Sequence, residues 1–267
     1  MAMLLLTGAA GRIGTALRPR LREAGHELVL FDEREPEDPV AAGERLVIGS
    51  VADLRALDGA LAGVDTVVHL AGIPTEDDWD DLVAANLTGT RNVLERAAAA
   101  GVLRVLQASS IHAVGRVTEP EQAPGSIPGD FLPRPDTYYG VTKAAMELLG
   151  SLFADRFGMS IVSARIGAFG ERPTSRRALL MWTSGDDLAR LVEVTVGLRE
   201  PGHHVVWALS RNQGSPADLG AGEAIGFVPV DDAATVLDED ERSALPDEDM
   251  RFLGGALADV PLGRRSA

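Results

Sequence analysis

The segment "TYYGVTK", residues 137–143, contains side chains that could transfer a proton. Tyr139 and Lys143 are four residues apart and would share one face of a helix, whereas Tyr138 lies five residues from the lysine and would not. A phenol with a pKa of about 10 is a poor base at neutral pH, but a neighbouring ammonium group stabilises its phenolate form. The spacing predicts that Lys143 lowers the pKa of Tyr139. A surface helix with one packed tyrosine and one solvated lysine is the alternative that spacing alone leaves open.

A glycine pattern near the N-terminus predicts a dinucleotide site. Gly8, Gly11 and Gly14 follow the first apolar run and would permit a tight turn, close approach to a pyrophosphate and close helix packing, respectively. Asp32 stands 18 residues after the last of these glycines, at the end of the second apolar run. A carboxylate there can accept both ribose hydroxyls of NAD and repels the 2′-phosphate of NADP. The predicted cofactor is therefore NAD, with a solvated turn carboxylate as the alternative for this aspartate.

The elements that must position these residues alternate between short apolar runs and longer helical stretches, which is typical of βαβ units. We predict an α/β fold, a doubly wound parallel-sheet Rossmann fold with a small C-terminal substrate lobe. Residues 1–267 would form a single domain, with the NAD-binding core at 1–165 and mainly the substrate-side lobe and an acidic segment at 166–267. Helices are predicted over Asp80–Ala100 and Tyr138–Phe157, each followed by a glycine suited to a C-cap. The predicted strands are 4–6, 27–31, 46–48, 66–70, 104–108 and 160–165.

Composition excludes several classes of function. The chain has 267 residues, 45% of them hydrophobic and 24% charged, as in a globular enzyme. A formal charge of -15 argues against nucleic acid and anionic membranes as partners, because both are bound through clustered basic residues. Without cysteine, thiolate catalysis and Cys-ligated metals are excluded, and His203 and His204 would point to opposite faces of a strand. We expect no metal site and, without a leader-like or long apolar segment, a cytoplasmic location.

Three local features have simple structural interpretations. Thr118–Asp136 contains five prolines and two glycines, so we predict a loop that could act as a substrate lid. Asp231–Met250 is strongly acidic and is predicted to be a solvated surface segment. His69 lies inside an apolar strand and is predicted to be a buried histidine with satisfied hydrogen bonds.

Six motifs along the chain form a recognisable set. They are "TGAAGRIG" at 7–14, "HLAG" at 69–72, "NLTGTRNVLERA" at 86–97, "ASSIHAVG" at 108–115, "YGVTK" at 139–143 and "ARIGAFG" at 164–170. With these motifs the chain resembles the short-chain dehydrogenase/reductase superfamily, and specifically its extended branch of NAD-dependent sugar epimerases, dehydratases and dehydrogenases. In that branch a catalytic serine precedes the glycine of the fourth motif by five residues. The resemblance implies the catalytic residues Ser110, Tyr139 and Lys143.

Within this branch the likeness is greatest to NAD-dependent uronate dehydrogenases, which oxidise C1 of a hexuronic acid to a lactone. The elements "SSIHAVG", "RPDTYYGVTK", "RIG", "WTSGDD", "VVWALS" and "RFLGG" carry this likeness. It implies an NAD-dependent sugar dehydrogenase in which Tyr139 is the base, Ser110 orients the reacting oxygen and Lys143 binds the nicotinamide ribose. His112 and Arg177 would hold the substrate, the arginine by pairing with its carboxylate.

The resemblance also implies two sets of contacts. The cofactor contacts are Gly8, Ala10, Gly11, Arg12, Ile13, Gly14, Asp32, Ser50, Val51, Leu70, Ala71, Gly72, Asn86, Tyr139, Lys143 and Ile166. The substrate contacts are Thr75, Ser110, Ile111, His112, Tyr139 and Arg177. Arg176 competes with Arg177 for its role, and Asn86 has a structural bridge to the backbone as its alternative.

The chain departs from the uronate dehydrogenase pattern at several positions. Pro74, Ile111 and Ala168 stand where those enzymes tend to carry polar residues, and Ser50 stands where an acid usually contacts adenine. These departures leave a related neutral aldose open as the substrate.

A nucleotide-sugar epimerase or dehydratase with tightly held NAD is the second candidate, although the region after "ARIGAFG" is short for a lobe that holds a nucleotide. A non-catalytic nucleotide sensor is the third, although sensors typically lose the tyrosine or the lysine. The expected partners are a small sugar or sugar acid and a second copy of the chain, in a dimer or larger homo-oligomer.

Overall fold

Nine β-strands occur in the computed structural model, which describes residues 1–265. They are β1 (Met3–Thr7), β2 (Glu27–Asp32), β3 (Glu44–Ile48), β4 (Thr66–His69), β5 (Arg104–Ser110), β6 (Ser160–Ile166), β7 (Ala168–Phe169), β8 (Trp182–Thr183) and β9 (Gly202–Ala208). Seven of them form one sheet in the order β3-β2-β1-β4-β5-β6-β9, and every neighbouring pair is parallel. β7 and β8 pair separately. The predicted doubly wound parallel sheet is confirmed.

Within residues 1–265, ten α-helices connect and flank these strands. They are α1 (Arg12–Glu23), α2 (Leu54–Leu61), α3 (Trp79–Leu82), α4 (Gly89–Ala100), α5 (Tyr138–Phe157), α6 (Arg176–Met181), α7 (Gly185–Gly197), α8 (Gly220–Ala224), α9 (Ala233–Val236) and α10 (Glu239–Ala244). None of the helices within residues 1–265 is both long and apolar enough to cross a membrane.

The sheet is covered on both faces, which explains why its strands are almost continuously apolar. Leu4 and Leu6 of β1 point into a core formed with α1 and α7. Leu5, between them, points into a second core formed with α2 and α4. Successive side chains of a strand alternate between faces, so one apolar strand supplies both cores.

The six predicted strands and the tyrosine helix are confirmed, and the structure adds two kinds of detail. α5 has the predicted bounds and ends at Gly158, whose φ is 66°. The predicted helix over 80–100 begins one residue earlier and is divided by a π-helical turn over Val83–Thr88. Such turns occur frequently at functional sites. β7, β8 and β9 were not among the predicted strands.

The segment Thr118–Asp136 is mainly a loop, as predicted, and it is anchored to the sheet, whereas its role as a substrate lid stays a prediction. Ile127 is buried, and its carbonyl accepts a hydrogen bond from the indole of Trp207 at 2.8 Å. The carbonyl of Phe131 accepts a hydrogen bond from Arg165 at 3.0 Å. The loop packs into a third apolar cluster beside the C-terminal region.

The acidic segment Asp231–Met250 lies mainly on the surface, as predicted, although Ala233 and Leu237 within it are buried. It contains α9 and α10, and Asp231 accepts a hydrogen bond from Ser184 at 2.5 Å. Its later acids pair with Arg176 and Arg177 of α6. Residues 266 and 267 of the expected C-terminal lobe lie outside the described residues.

Candidate active site

The glycine-rich turn between β1 and α1 brings the backbone close to the β4 loop. Gly8 has a φ of 71°, and a Cβ on it would lie 2.8 Å from the nitrogen of Ala71. A Cβ on Gly14 would lie 2.5 Å from the carbonyl oxygen of Gly8. α1 begins directly after Gly11, so its free N–H groups and positive dipole end face the same space. The turn therefore has the form required of a pyrophosphate cradle.

Asp32 is held at the carboxyl end of β2, where the ribose contact was predicted. Its Oδ2 accepts a hydrogen bond from the nitrogen of Ala10 at 2.9 Å, and its Oδ1 accepts one from the nitrogen of Arg34 at 3.2 Å. These bonds fix the carboxylate on the wall of a cavity of about 490 Å³. The residues of this cavity fit a dinucleotide. From the predicted cofactor set, the wall contains Gly8, Gly11, Arg12, Ile13, Gly14, Asp32, Val51, Leu70, Ala71 and Gly72.

The other predicted cofactor residues fall into three groups. Ala10 supports Asp32, and Ser50 lies beside Val51 with its hydroxyl accepting a hydrogen bond from Ala52 at 3.3 Å. Asn86 is buried and lines neither of the two cavities, and its cofactor contact stays a prediction. The rest of the set lines the adjoining cavity described below, and these residues are Tyr139, Lys143 and Ile166.

Asn86 is a bridge between the β4 loop and α5. Its side-chain oxygen accepts a hydrogen bond from the nitrogen of Ile73 at 2.7 Å. Its amide nitrogen donates to the Ile73 carbonyl and to Thr142 Oγ1, both at 3.1 Å. The alternative interpretation of this residue as a structural bridge is therefore confirmed.

A second cavity of about 250 Å³ adjoins the first. The two share wall residues from α1 and the β4 loop, so they form one continuous cleft at the carboxyl ends of the strands. The shared residues are Arg12, Ile13, Leu70, Gly72, Ile73 and Pro74. The second cavity also contains predicted catalytic and substrate residues, namely Ser110, Ile111, His112, Tyr139, Lys143 and Arg177.

α5 is fixed at its beginning, where it carries Tyr139. Thr137 is the N-cap and accepts a hydrogen bond from the nitrogen of Gly140 at 3.0 Å. The fully buried carboxylate of Glu76 accepts a hydrogen bond from the nitrogen of Tyr139 at 2.9 Å and another from the nitrogen of Gly263 at 2.9 Å. One buried acid therefore ties the start of the helix to both the β4 loop and the C-terminal region.

The middle of α5 is tied to the sheet by a buried ion pair. Arg165 donates two hydrogen bonds to Glu147, one from Nε and one from Nη2, each at 2.9 Å. Glu147 also accepts a hydrogen bond from Ser109 at 2.5 Å. These contacts fix the rotation of α5 relative to β5 and β6, so Tyr139 and Lys143 both face the cavity.

The predicted lowering of the Tyr139 pKa is wrong for this structure. Burial raises the pKa of Tyr139 to about 12, although a hydrogen bond with Ser110 acts in the opposite direction. Burial also lowers the pKa of Lys143 to about 8, so its positive charge is itself disfavoured. The lysine Nζ donates to the Ala108 carbonyl at 2.7 Å and lies 5.5 Å from the centre of the tyrosine ring. Desolvation of both groups, which residue spacing cannot reveal, exceeds the attraction predicted from the sequence.

His112 lies beside Tyr139 and is oriented by Asp136. The Nδ1 of His112 lies 2.7 Å from Oδ2 of this buried aspartate, whose Oδ1 accepts a hydrogen bond from the Thr137 hydroxyl at 3.0 Å. The centres of the histidine and tyrosine rings are 5.8 Å apart in an edge-on arrangement. The Asp136 contact fixes the imidazole ring, and Nε2, which has no hydrogen-bond partner within residues 1–265, is available to a ligand.

Arg177, and not Arg176, reaches the cavity. Its Nε donates to the Leu253 carbonyl at 3.0 Å, while its buried Nη2 has no hydrogen-bond partner among the described residues. Gly255, with a φ of 61°, makes room for it, because a Cβ there would lie 2.7 Å from Nε. Burial lowers the pKa of this guanidinium, whereas the charges of Glu248 and Asp136 raise it. Leaving a buried hydrogen-bond donor unpaired costs free energy, so this site is suited to bind a ligand group that accepts a hydrogen bond.

Part of the cavity wall is apolar. Pro74, Ile111 and Ala168, the three departures from the uronate dehydrogenase pattern, all lie on it. Thr75, predicted to contact substrate, is half-buried next to Pro74, and the cavity wall at this point is the proline. The polar groups that face a ligand are therefore concentrated on the side of Tyr139 and Arg177.

His69 is a structural histidine, as predicted. It is buried, and its ring nitrogens lie 2.8 Å from Thr7 Oγ1 and 3.0 Å from Thr90 Oγ1. Burial lowers its pKa to about 3, so the ring is neutral at physiological pH.

Sequence reasoning missed three acids around the cavity: Glu76, Asp136 and Glu248. The first two are buried and bond to the beginning of α5 or to His112, and the third lies near Arg177. The only local signal was the position of Asp136 directly before the N-cap of the tyrosine helix. For the other two acids the partner is distant in sequence, so spacing carried no signal.

Comparison with known proteins places this cleft in a family. A sequence profile of the NAD dependent epimerase/dehydratase family matches residues 4–183. A uronate dehydrogenase from Pseudomonas syringae pv. tomato is 34% identical over 264 residues, covering 97% of this chain and 94% of that protein. An L-arabinose 1-dehydrogenase (NAD(P)(+)) from Haloferax volcanii is 34% identical over 260 residues, covering 89% and 100%. The crystal structure of a mutant uronate dehydrogenase from Agrobacterium tumefaciens, complexed with NAD, has a TM-score of 0.90 and 33% identity, covering 99% and 100%.

Proposed function

The chain belongs to the NAD dependent epimerase/dehydratase family, and we propose that within it the protein is an NAD-dependent dehydrogenase that oxidises C1 of a free uronate, or a closely related aldose, to a lactone. Similarity over nearly the whole chain to dehydrogenases of free sugars supports this proposal. The proposal that the substrate is an acid rests on Nη2 of Arg177, which is buried without a hydrogen-bond partner among the described residues and belongs to the same cavity as Tyr139.

NAD would occupy the larger cavity, with Asp32 at its adenosine ribose and the turn from Gly8 to Gly14 at its pyrophosphate. When bound, NAD supplies the hydride acceptor at a nicotinamide ring whose positive charge also favours the phenolate form of a tyrosine. The carboxylate of Asp32 disfavours a 2′-phosphate at this position, so NAD is preferred over NADP.

The residues of the smaller cavity have different roles in the proposed proton transfer. Tyr139 takes the proton of the C1 hydroxyl as the C1–H bond is broken, and Ser110, which hydrogen-bonds Tyr139, orients the reacting oxygen. Lys143 lies against the tyrosine ring and holds the Ala108 carbonyl, so it positions this end of the cavity. Positioned proton transfer of this kind contributes roughly 10²- to 10⁴-fold to the rate.

Arg177 and His112 would hold the far end of the sugar. A guanidinium whose Nε is engaged by a backbone carbonyl and whose Nη2 is free can bind a carboxylate through charge-assisted hydrogen bonds. His112, held by Asp136, presents its second ring nitrogen to a sugar hydroxyl. The apolar wall at Pro74, Ile111 and Ala168 offers no comparable hydrogen bonds, so recognition depends on these two residues.

The nucleotide-sugar epimerase alternative is less well supported. The free-sugar dehydrogenases match nearly the full chain, including the C-terminal region that contributes the Arg177 environment. A screen of free uronic acids, neutral aldoses and nucleotide-linked sugars with NAD, followed by reduced-cofactor absorbance, tests the proposal. We expect turnover of a free sugar. Reaction of nucleotide-linked sugars alone, without accumulation of reduced cofactor, would refute it.

The exposed face of α5 supports the proposal that the chain forms a homo-oligomer. Val141, Leu148 and Leu152 are exposed on this helix, with 37%, 68% and 51% of their surfaces accessible. Exposed apolar residues grouped on one helix face are typical of protein contacts. Sedimentation of the wild type and of a Leu148→Glu variant tests the proposal, which predicts that the variant dissociates. A monomeric wild type contradicts it.

A further inference from the structure

Two adjacent arginines of α6 face two adjacent acids of the segment that follows α10. The backbone nitrogen of Arg176 donates to the Pro246 carbonyl at 3.1 Å, which keeps the two segments together. Arg176 pairs with Asp247 at 2.9 Å, and their side chains are 56% and 84% exposed. Arg177 lies 3.7 Å from Glu248 through Nη1 and Oε2, with exposures of 11% and 36%. The first pair is a surface contact, whereas the second reaches the substrate cavity through its arginine.

The contact between Arg177 and Glu248 brings opposite charges close together without a hydrogen bond between them. An N–O distance of 3.7 Å exceeds that of a hydrogen bond, so the N–H groups of Nη1 remain available. Nη2 is buried without a partner among the residues that the structure describes. Asp136 also acts on this guanidinium electrostatically, but its oxygens are engaged by His112 and Thr137. Of these two acids, Glu248 is therefore the partly exposed one that places a negative charge beside the guanidinium.

We propose that Glu248 is a specificity-determining residue. Its negative charge partly neutralises the positive charge of Arg177 and so lowers the preference of the cavity for acidic sugars. The inference rests on the proposed oxidation of a free sugar. A substrate carboxylate would approach a guanidinium already faced by one carboxylate, and like charges at one site repel each other. A neutral sugar accepting hydrogen bonds from the same N–H groups would not experience this repulsion.

The test compares Glu248→Gln with Asp247→Asn, which removes the neighbouring acid from the exposed pair. Glutamine keeps the shape of glutamate and lies on the surface, so both variants are expected to fold with unchanged melting temperature. For Glu248→Gln we expect the KM for a uronate to fall about 5- to 30-fold, which corresponds to about 1 to 2 kcal/mol at 1.4 kcal/mol per tenfold change. Its kcat, and the KM for a neutral aldose, should change less than about twofold. Asp247→Asn should change neither KM by more than about twofold.

Several outcomes would overturn the role of Glu248. An unchanged or higher uronate KM in Glu248→Gln, an equal effect on neutral and acidic sugars, or an equal effect of Asp247→Asn would each do so. If the wild type oxidises no free sugar, the proposed function fails separately. Calorimetric titration of wild type and Glu248→Gln with D-glucuronate and D-glucose then decides the role of Glu248: tighter glucuronate binding by the variant alone supports it, and equal or undetectable binding overturns it.

Discussion

The buried ammonium group of Lys143 should make the stability of the protein depend on pH in a defined direction. Burial lowers its pKa from an ordinary 10.5 to about 8. Below pH 8 the folded and unfolded states both carry the proton, and the folded state bears the full cost of burying the charge. As the pH rises from about 8 to 10.5 the folded state releases its proton first, so this cost disappears and the free energy of unfolding rises.

The pKa difference sets the size of the effect. At about 1.4 kcal/mol per pH unit, it corresponds to a cost of about 3 kcal/mol at neutral pH, of which about 2 to 3 kcal/mol should be relieved between pH 7 and pH 10. Lys143→Met removes the charge. The variant should therefore be more stable than the wild type at pH 7, less the roughly 1 kcal/mol of the lost hydrogen bond to the Ala108 carbonyl. The difference should shrink as the pH rises.

Two measurements check this reasoning. Lys143 is the only lysine in the sequence, so NMR of protein labelled at lysine gives a single side-chain signal, whose titration midpoint should lie near pH 8. Urea unfolding of wild type and Lys143→Met at pH 7 and pH 10 gives the stability difference at each pH. Titration of Tyr139 above pH 10 lowers the stability of both proteins and largely cancels in the difference. A midpoint above pH 10, or a stability difference that does not vary with pH, would refute the argument.

Five further substitutions, at four residues, test the proposed site. Tyr139→Phe should abolish turnover, while NAD binding, measured by calorimetry, should persist. Tyr138→Phe should leave kcat/KM nearly unchanged, because the ring of Tyr138 is half-buried against the ring of Trp79, with 5.1 Å between the ring centres. A greater loss of activity in Tyr138→Phe than in Tyr139→Phe would contradict the assignment of Tyr139 as the base. Asp32→Ala should reduce the preference for NAD over NADP in kcat/KM by about 5- to 150-fold, as expected for about 1 to 3 kcal/mol of removed like-charge repulsion, and an unchanged ratio would argue against a ribose contact. Arg177→Ala should lower kcat/KM for a uronate by roughly 30- to several-thousand-fold, since removing one partner of a desolvated charge pair costs about 2 to 5 kcal/mol. Arg177→Lys should recover little because an ammonium cannot form two parallel hydrogen bonds, and equal losses for acidic and neutral sugars in Arg177→Ala would exclude a carboxylate contact.

Local spacing in the sequence was sufficient to predict most of the parallel-sheet scaffold. Apolar runs separated by helical periods predicted six strands of the parallel sheet, because strands covered on both faces must be apolar throughout. β9 was missed: it lies at the edge of the sheet, and its first residues are polar or only half-buried. The glycine pattern at 8–14 predicted the cofactor turn, since close backbone approach there requires the absence of a side chain.

Tertiary structure decided the electrostatics of the site. The sequence determined that Tyr139 and Lys143 share a helix face, but the direction of both pKa shifts depends on burial, which elements distant in the chain impose. The sequence favoured Arg177 over the adjacent Arg176 only through the family resemblance. Only the packing of Gly255 and the Leu253 carbonyl shows that Arg177 enters the cavity. Residue types and spacing therefore determined which groups are available for chemistry, whereas contacts between distant segments decided which are buried, charged and free to bind.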